Sequence, residues 1–231
     1  MATVKRVQLS DNLVQLSRLG FVNCFLVREH DGFTLVDTTL SGNARAIMEG
    51  ASEAGAPIVR IALTHAHVDH IGSLDALHEA LPDAEVIMGT RELRLTEEER
   101  RLDPDEPQAK VRGGWPAFET HPDRQVGEGD EVGSLRVVFT PGHTPGHVSF
   151  LDTRDGTLIA GDAFQTKGGI AVSGKLRPLF PFPTLANWHR PTAVESARRL
   201  RALEPQRLVV GHGKPLDAPA AAMDGAIAAA A

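Results

Sequence analysis

The sequence predicts an α/β protein made of two similar halves, packed sheet on sheet with helices outside. Three observations predict it. Strands lead the chain, strands and helices then alternate, and the same order returns in the second half. Several short apolar stretches end in a glycine or turn residue followed by His or Asp. The chain has 231 residues, 42% of them hydrophobic, and no linker-like stretch divides it, so a single domain over 1–231 is expected.

Residues 4–9, 13–19, 22–28 and 33–37 read as strands, with Asp11-Asn12 and Asp31-Gly32 as turns between them. Residues 43–54 carry a helical pattern, and a buried strand over 58–63 follows Pro57. The spacing of Ile71, Leu74, Leu77 and Leu81 predicts a helix over 71–81. A strand over 85–88 and a charged helix over 90–101 come next. Residues 103–115, rich in Pro, Gly and charge, read as a surface excursion. Residues 125–140 hold two strand segments around Gly133-Ser134, and strands over 147–152 and 157–160 flank the turn Arg154-Asp155-Gly156. Residues 163–183 read as a long irregular loop. A helix over 191–203 has Pro at its start, followed by a strand over 207–210 and an Ala-rich terminal helix over 217–231.

Composition excludes several classes. The net charge is −6 and no Lys/Arg-rich run stands out, so neither nucleic acid nor a membrane is expected as a partner. The expected partners are a small-molecule substrate and, as an open alternative to a monomer, a second copy of the chain in a homodimer. With Cys24 as the only cysteine, no intramolecular disulfide can form. Cys24 lies in the apolar stretch 21–27 and reads as a buried small hydrophobe, with a reactive thiol as the competing reading. Residues 1–6 show no signal-peptide core, and no apolar run reaches the length of a membrane span, which points to the cytoplasm.

The chemistry is concentrated in Thr64-His65-Ala66-His67-Val68-Asp69-His70, directly after the apolar run 58–63. Imidazoles and carboxylates crowded at a strand end each need a buried partner, and a metal ion supplies all of them at once. Three later residues share this local pattern of apolar strand, glycine or turn residue, then ligand: His143 in Thr140-Pro141-Gly142-His143, Asp162 in Gly161-Asp162, and His212 in Gly211-His212-Gly213. Seven donors exceed the roughly four that one Zn takes. His65 and His67, two apart on an extended segment, can point the same way; Asp69 and His70 diverge from them. That assigns His65, His67 and His143 to one ion, and Asp69, His70 and His212 to a second, with Asp162 bridging. Two ions roughly 3.5–4 Å apart can hold one hydroxide as nucleophile and polarise a substrate oxygen.

This constellation resembles the metallo-β-lactamase superfamily. His65 to His70 match its His-x-His-x-Asp-His motif, and His143, Asp162 and His212 match its later His, bridging Asp and final His, over roughly residues 22–212. The resemblance implies an αβ/βα four-layer sandwich with a dinuclear site at one edge. It also implies that Asp37, at the end of the early strand Leu35-Val36-Asp37, orients the site without binding metal. Asp69 then positions or shuttles a proton while hydroxide attacks a lactone, ester or thioester carbonyl. Two divalent ions are implied: Zn2+ is the expected metal, and Fe or Mn suits the same N and O donors.

The retained Asp162 resembles hydroxyacylglutathione hydrolases and lactonases rather than the drug-hydrolysing members, which generally lack it. Two features depart from those branches. About twenty residues, rich in Ala, follow His212, where hydroxyacylglutathione hydrolases carry a helical region with basic residues. Nor is there a tyrosine, which acyl-homoserine lactonases use. A non-haem iron sulfur dioxygenase, or another redox protein of this fold, is the alternative. Substrate contacts are expected from residues 164–189 and from the excursion near Trp115; Phe164, Phe180, Phe182 and Trp188 are candidates for an apolar substrate wall, and His189 for a proton donor. Lys167, Lys175 and Arg177 read as a solvated basic loop. His147 reads as a supporting histidine or a strand start.

Overall fold

The computed structural model describes residues 4–231. Its first sheet follows chain order: β1 (Val4–Ser10), β2 (Leu13–Arg18), β3 (Val22–Arg28), β4 (Phe33–Val36), β5 (Ile58–Leu63), β6 (Glu85–Gly89) and β7 (Arg124–Val126). Pairing is antiparallel from β1 to β4, where the turns are short. From β4 to β7 it is parallel, which demands longer crossovers. Helix α1 (Ala44–Glu53) makes the first, α2 (Val68–Ile71) and α3 (Leu74–Ala80) the second, and α4 (Thr90–Glu97) begins the third.

The second half supplies β8 (Glu131–Val132), β9 (Leu135–Phe139), β10 (Val148–Asp152) and β11 (Thr157–Ile159). A small hairpin of β12 (Phe164–Gln165) and β13 (Ala171–Val172) follows. Then come α5 (Phe182–Ala186), α6 (Arg190–Ala202), β14 (Arg207–Val209), β15 (Leu216–Asp217) and α7 (Ala220–Ala230). The second sheet runs β15-β14-β11-β10-β9-β8.

The core explains the layering. On β3, Phe25 and Val27 point between the sheets and Cys24 and Leu26 point outward, the period-2 alternation of a strand buried on both faces. Phe25, Val36, Ala62 and Ile87 meet Val137, Phe150, Ile159 and Val209 of the second sheet. Ile47 of α1 with Leu74 and Leu77 of α3 cover the first sheet's outer face. Ala193, Ala197 and Leu200 of α6, with Met223 and Ala226 of α7, cover the second's. The result is the expected αβ/βα sandwich. Cys24 is fully buried, and burial pushes its thiol up, so it is a core residue and not a nucleophile. No helix among the described residues is long and apolar enough to cross a membrane.

Four expected elements differ. The helix over 71–81 divides at Gly72-Ser73, where Gly72 N–H donates to the Thr39 carbonyl and the Ser73 hydroxyl to the Leu40 carbonyl. Its first turn starts inside the His-rich run, at Val68. The charged helix stops at Glu97, since Glu99 and Arg100 adopt φ of 50° and 65°. The loop over 163–183 contains the β12–β13 hairpin and the start of α5. The terminal helix begins at Ala220, after Leu216 and Asp217 have paired with β14.

Helix α4 turns Glu92 inward, where its carboxylate accepts the Ala66 N–H at 2.8 Å and the Thr144 hydroxyl at 2.7 Å. Burial pushes this carboxyl up to about 7, against the pull of those donors. The native state thus keeps a proton that the unfolded chain releases above 4.5. With more protons bound when folded, this group's contribution to stability falls as pH rises from 4.5 to about 7, then levels. In metal-free protein, the stability of Glu92→Gln relative to wild type is expected to rise by on the order of 3 kcal/mol between about pH 4.5 and about pH 8. Urea unfolding at the two pH values checks this; a constant difference would contradict the raised value.

Candidate metal centre

The seven donors gather at one edge of the sandwich because each follows a strand end. Residues 64–67 leave β5 as an extended strap, and α2 turns Asp69 and His70 back toward it. His143 lies between β9 and β10, Asp162 just past β11, and His212 just past β14. Val22 of β3 bridges to His212, which ties the two halves together beside the site. Gly211 permits the close approach: a Cβ there would lie 2.4 Å from Asp162 Oδ1 and 2.6 Å from His70 Cε1.

His65, His67 and His143 form the first group. His67 Nδ1 lies 3.1 Å from His65 Nε2 and 3.0 Å from His143 Nε2. The other ring nitrogens have partners: His65 Nδ1 meets Thr64 Oγ1 at 3.1 Å, His67 Nε2 the Arg112 carbonyl at 3.0 Å, and His143 Nδ1 Ser173 Oγ at 2.8 Å. Assigning the ring protons to those partners leaves three lone pairs facing one another. Burial drives His65 and His143 well below the ordinary imidazole range and His67 down to about 4, so all three are neutral near pH 7. Facing lone pairs without a cation repel, whereas neutral imidazoles around a divalent ion are its commonest ligands. The residues fit a metal.

Asp69, His70 and His212 form the second group, their donor atoms within 4.8 Å of one another. His212 Nε2 lies 3.1 Å from Asp69 Oδ2 and 3.2 Å from Asp162 Oδ2. Asp162 stands between the groups, with Oδ2 3.5 Å from His143 Nε2 and Oδ1 3.4 Å from His70 Nε2. His70 Nε2 and Asp162 Oδ1 are buried without a hydrogen-bond partner. Burial opposes charge on His70 and His212, but carboxylates outweigh it: Asp162 and Asp37 lift His70 well above its ordinary range, and Asp162 and Asp69 lift His212 to about 9. Conversely, burial would raise Asp162 and Asp69, yet His212 and His70 hold both below the usual carboxylate range. In the metal-free chain, protons fill the role a cation would take, so metal binding releases them.

A family model described as the metallo-beta-lactamase superfamily matches residues 17–212. The chain belongs to the metallo-beta-lactamase superfamily. The uncharacterized Bacillus subtilis protein YobT is 47% identical to it over 207 residues, 89% of each chain. The probable metallo-hydrolase YflN of the same organism is 31% identical over 221 residues, 88% of this chain and 83% of that one. The crystal structure of TTHA1623 in a di-iron-bound form superposes with a TM-score of 0.64 at 28% identity, over 87% of this chain and 91% of that one. Superfamily membership and the His/Asp cluster together imply divalent metal.

Asp37 holds the superfamily motif in place. Its Oδ1 accepts the Thr64 N–H at 2.8 Å, and its Oδ2 meets His70 Nδ1 at 2.8 Å. His147 serves a different strand end: its Nε2 accepts the Asp162 N–H at 3.0 Å and its Nδ1 lies 2.8 Å from the Thr140 hydroxyl, so it anchors Asp162 rather than offering a free donor. Burial pushes it down to about 3.

The expected apolar wall is mostly elsewhere. A cavity of about 360 Å³ opens over the donors, lined by Leu40, Val68, Gly113, Gly114, Phe182 and Leu185 among others. Of the residues proposed from the sequence, Phe182 reaches it. Phe164 is fully buried on the second sheet's outer face. Phe180 packs behind His212, 5.3 Å between ring centroids. Trp188 donates to the Ala109 carbonyl at 3.2 Å and so pins the long excursion. The His189 ring is engaged with its own helix, Nδ1 2.7 Å from Thr192 Oγ1. Lys167 lies over the Phe21 ring, and Arg177 donates to the Ile170 carbonyl. A larger cleft of about 450 Å³, between α4 and residues 115–121, contains none of the seven donors.

The excursion near Trp115, expected from the sequence to contribute substrate contacts, descends onto the site and supports a donor: Trp115 packs edge-on against His67, and a Cβ on Gly113 would lie 2.1 Å from His67 Nε2. Sequence reasoning missed another support. Asn23 Nδ2 donates to the Val210 and Gly213 carbonyls at 2.9 and 2.8 Å, fixing the turn that carries His212. An amide in the apolar run 21–27 was the available signal, because a buried amide needs partners.

Asp37→Ala unties Thr64 and His70 together. Its affinity for Zn2+, measured by chelator competition, is expected to fall about 10–100-fold; wild-type affinity would reduce Asp37 to a strand end.

Proposed function

We propose that this chain is a dinuclear metal-dependent hydrolase of ester-type bonds, acting on lactones and neutral esters with an apolar acyl part. The observation that carries this reading is the convergence of seven donors, five of which, His67, Asp69, His143, Asp162 and His212, line an apolar-walled cavity. His65, His67 and His143 would hold one ion and Asp69, His70 and His212 the other, with Asp162 serving both. Zn2+ is the proposed metal. When bound, such ions supply a Lewis acid and lower the pKa of water.

The chain's own residues do the rest. The Asp69 side chain is 30% exposed, whereas that of Asp162 is 3% exposed. Asp69 is therefore the carboxylate that can take a proton from an attacking water and return it to a leaving alcohol. Phe182 and Leu185 stand 64% and 61% exposed at the cavity mouth, surface that an acyl chain would cover at about 25 cal/mol per Å². Among the described residues, no Lys or Arg lines the cavity. A glutathione thioester would bring carboxylates with nothing to pair them, so thioesters rank below neutral esters.

Iron is the second reading of the metal, favoured by the di-iron form of the TTHA1623 relative. It would suit the same donors and open redox chemistry such as sulfur dioxygenation. The visible spectrum of purified protein and oxygen uptake with a persulfide separate the two readings.

Metal-quantified protein is expected to carry two ions per chain and to cleave an aryl ester or lactone with higher kcat/KM than S-lactoylglutathione. One tightly bound ion, or a thioester preference of about a hundredfold, would contradict the proposal. Phe182→Ala removes roughly 50 Å² of contact, or about 1 kcal/mol, from a long-chain ester. It is expected to lower kcat/KM for that ester about 5–10-fold while leaving the acetyl ester unchanged. Equal losses on both esters would remove Phe182 from the acyl site.

A further inference from the structure

Glu92 is the third residue of α4 and lies outside every motif in the sequence, yet it is only 1% exposed. A carboxyl group in that position is costlier than the apolar side chain that would fill the same space. Its two oxygens face different straps. Oε1 accepts the backbone N–H of Ala66, the residue between His65 and His67. Oε2 accepts the hydroxyl of Thr144, the residue after His143. The first strap comes from the first sheet and the second from the other sheet, 76 positions apart at the closest imidazole pair. Among the described residues, no other side chain from outside the two straps hydrogen-bonds to both.

We propose that Glu92 is a positioning residue for the three-histidine group, setting the separation of its two straps from behind without touching a ligand. The arrangement parallels that of Asp37, which ties Thr64 to His70, and of Asn23, which ties down the His212 turn. Without Glu92, the 64–67 strap would still be held at Thr64, by Asp37 and by the Val148 N–H on the Thr64 carbonyl at 2.9 Å, but no side chain would tie Ala66 to Thr144. His67 Nδ1 and His143 Nε2, 3.0 Å apart, would lose their common reference. The inference rests on the reading that this group holds a divalent ion.

Co2+ titration of the metal-free full-length protein, followed by its visible absorption, tests it, with thermal midpoints recorded alongside. Glu92→Gln keeps the bridge, its amide oxygen accepting from Ala66 and its NH2 donating to the Thr144 oxygen. It is expected to keep the wild-type spectrum and a Co2+ Kd within about threefold of wild type. Glu92→Leu is expected to raise the Kd about 10–100-fold and shift the spectrum. Thr144→Val, nearly isosteric and leaving the Ala66 bond intact, is expected to raise the Kd by a smaller factor, and it decides the matter if Glu92→Leu does not fold. Folded Leu and Val variants with wild-type Kd and spectrum, and only lower thermal midpoints, would overturn the inference. Failure of the wild-type protein to bind Co2+ would instead overturn the metal reading on which it rests.

Discussion

Buried lone pairs need a partner, and most of the arrangement around this site follows from that requirement. His65, His67, His70 and His143 each turn one ring nitrogen toward a fixed group: Thr64, the Arg112 carbonyl, Asp37 and Ser173. Each turns its other nitrogen inward, where other ring nitrogens or Asp162 stand. The outward bonds fix the tautomers and the ring angles. The inward nitrogens of His65, His67 and His143 then face one another as lone pairs, and a cation resolves the conflict for all three at once. The two groups differ in the metal-free chain: the first is neutral, and the second is a set of carboxylates and charged imidazoles holding one another.

The sandwich makes this arrangement possible because neither half holds the site alone. The strap after β5 and helix α2 bring His65, His67, Asp69 and His70; the second sheet brings His143, Asp162 and His212. Packing of Phe25, Val36, Ala62 and Ile87 against Val137, Phe150, Ile159 and Val209 sets the distance between those strand ends. Close packing transmits small volume changes, so substitutions in this middle layer act on the donors without touching them.

The convergence of the seven candidate donors was legible because metal-binding chemistry asks for specific residue types at strand ends, and both are visible in one dimension. The layers were legible because strands buried on two faces and amphipathic helices have different periods. The mouth of the cavity was not. Phe164, Phe180 and Trp188 have the composition of a wall but serve the core or a loop anchor, and aromatic residues carry no mark of which side they face. The hairpin inside 163–183 escaped because strands of two residues have no periodicity to detect. Supports delivered by the main chain, such as the Arg112 carbonyl on His67, have no side-chain signature. Glu92 was hidden for the opposite reason: in a charged helical run, a Glu reads as solvated surface.

Diffraction from crystals of metal-loaded protein, with anomalous data collected at the metal's absorption edge, tests the central claim most directly. Two peaks per chain are expected, one contacted by His65 Nε2, His67 Nδ1 and His143 Nε2, the other by Asp69, His70 and His212, with Asp162 reaching both. A single peak with Asp162 uncoordinated, or ions bound elsewhere while the five imidazoles stay free, would contradict it.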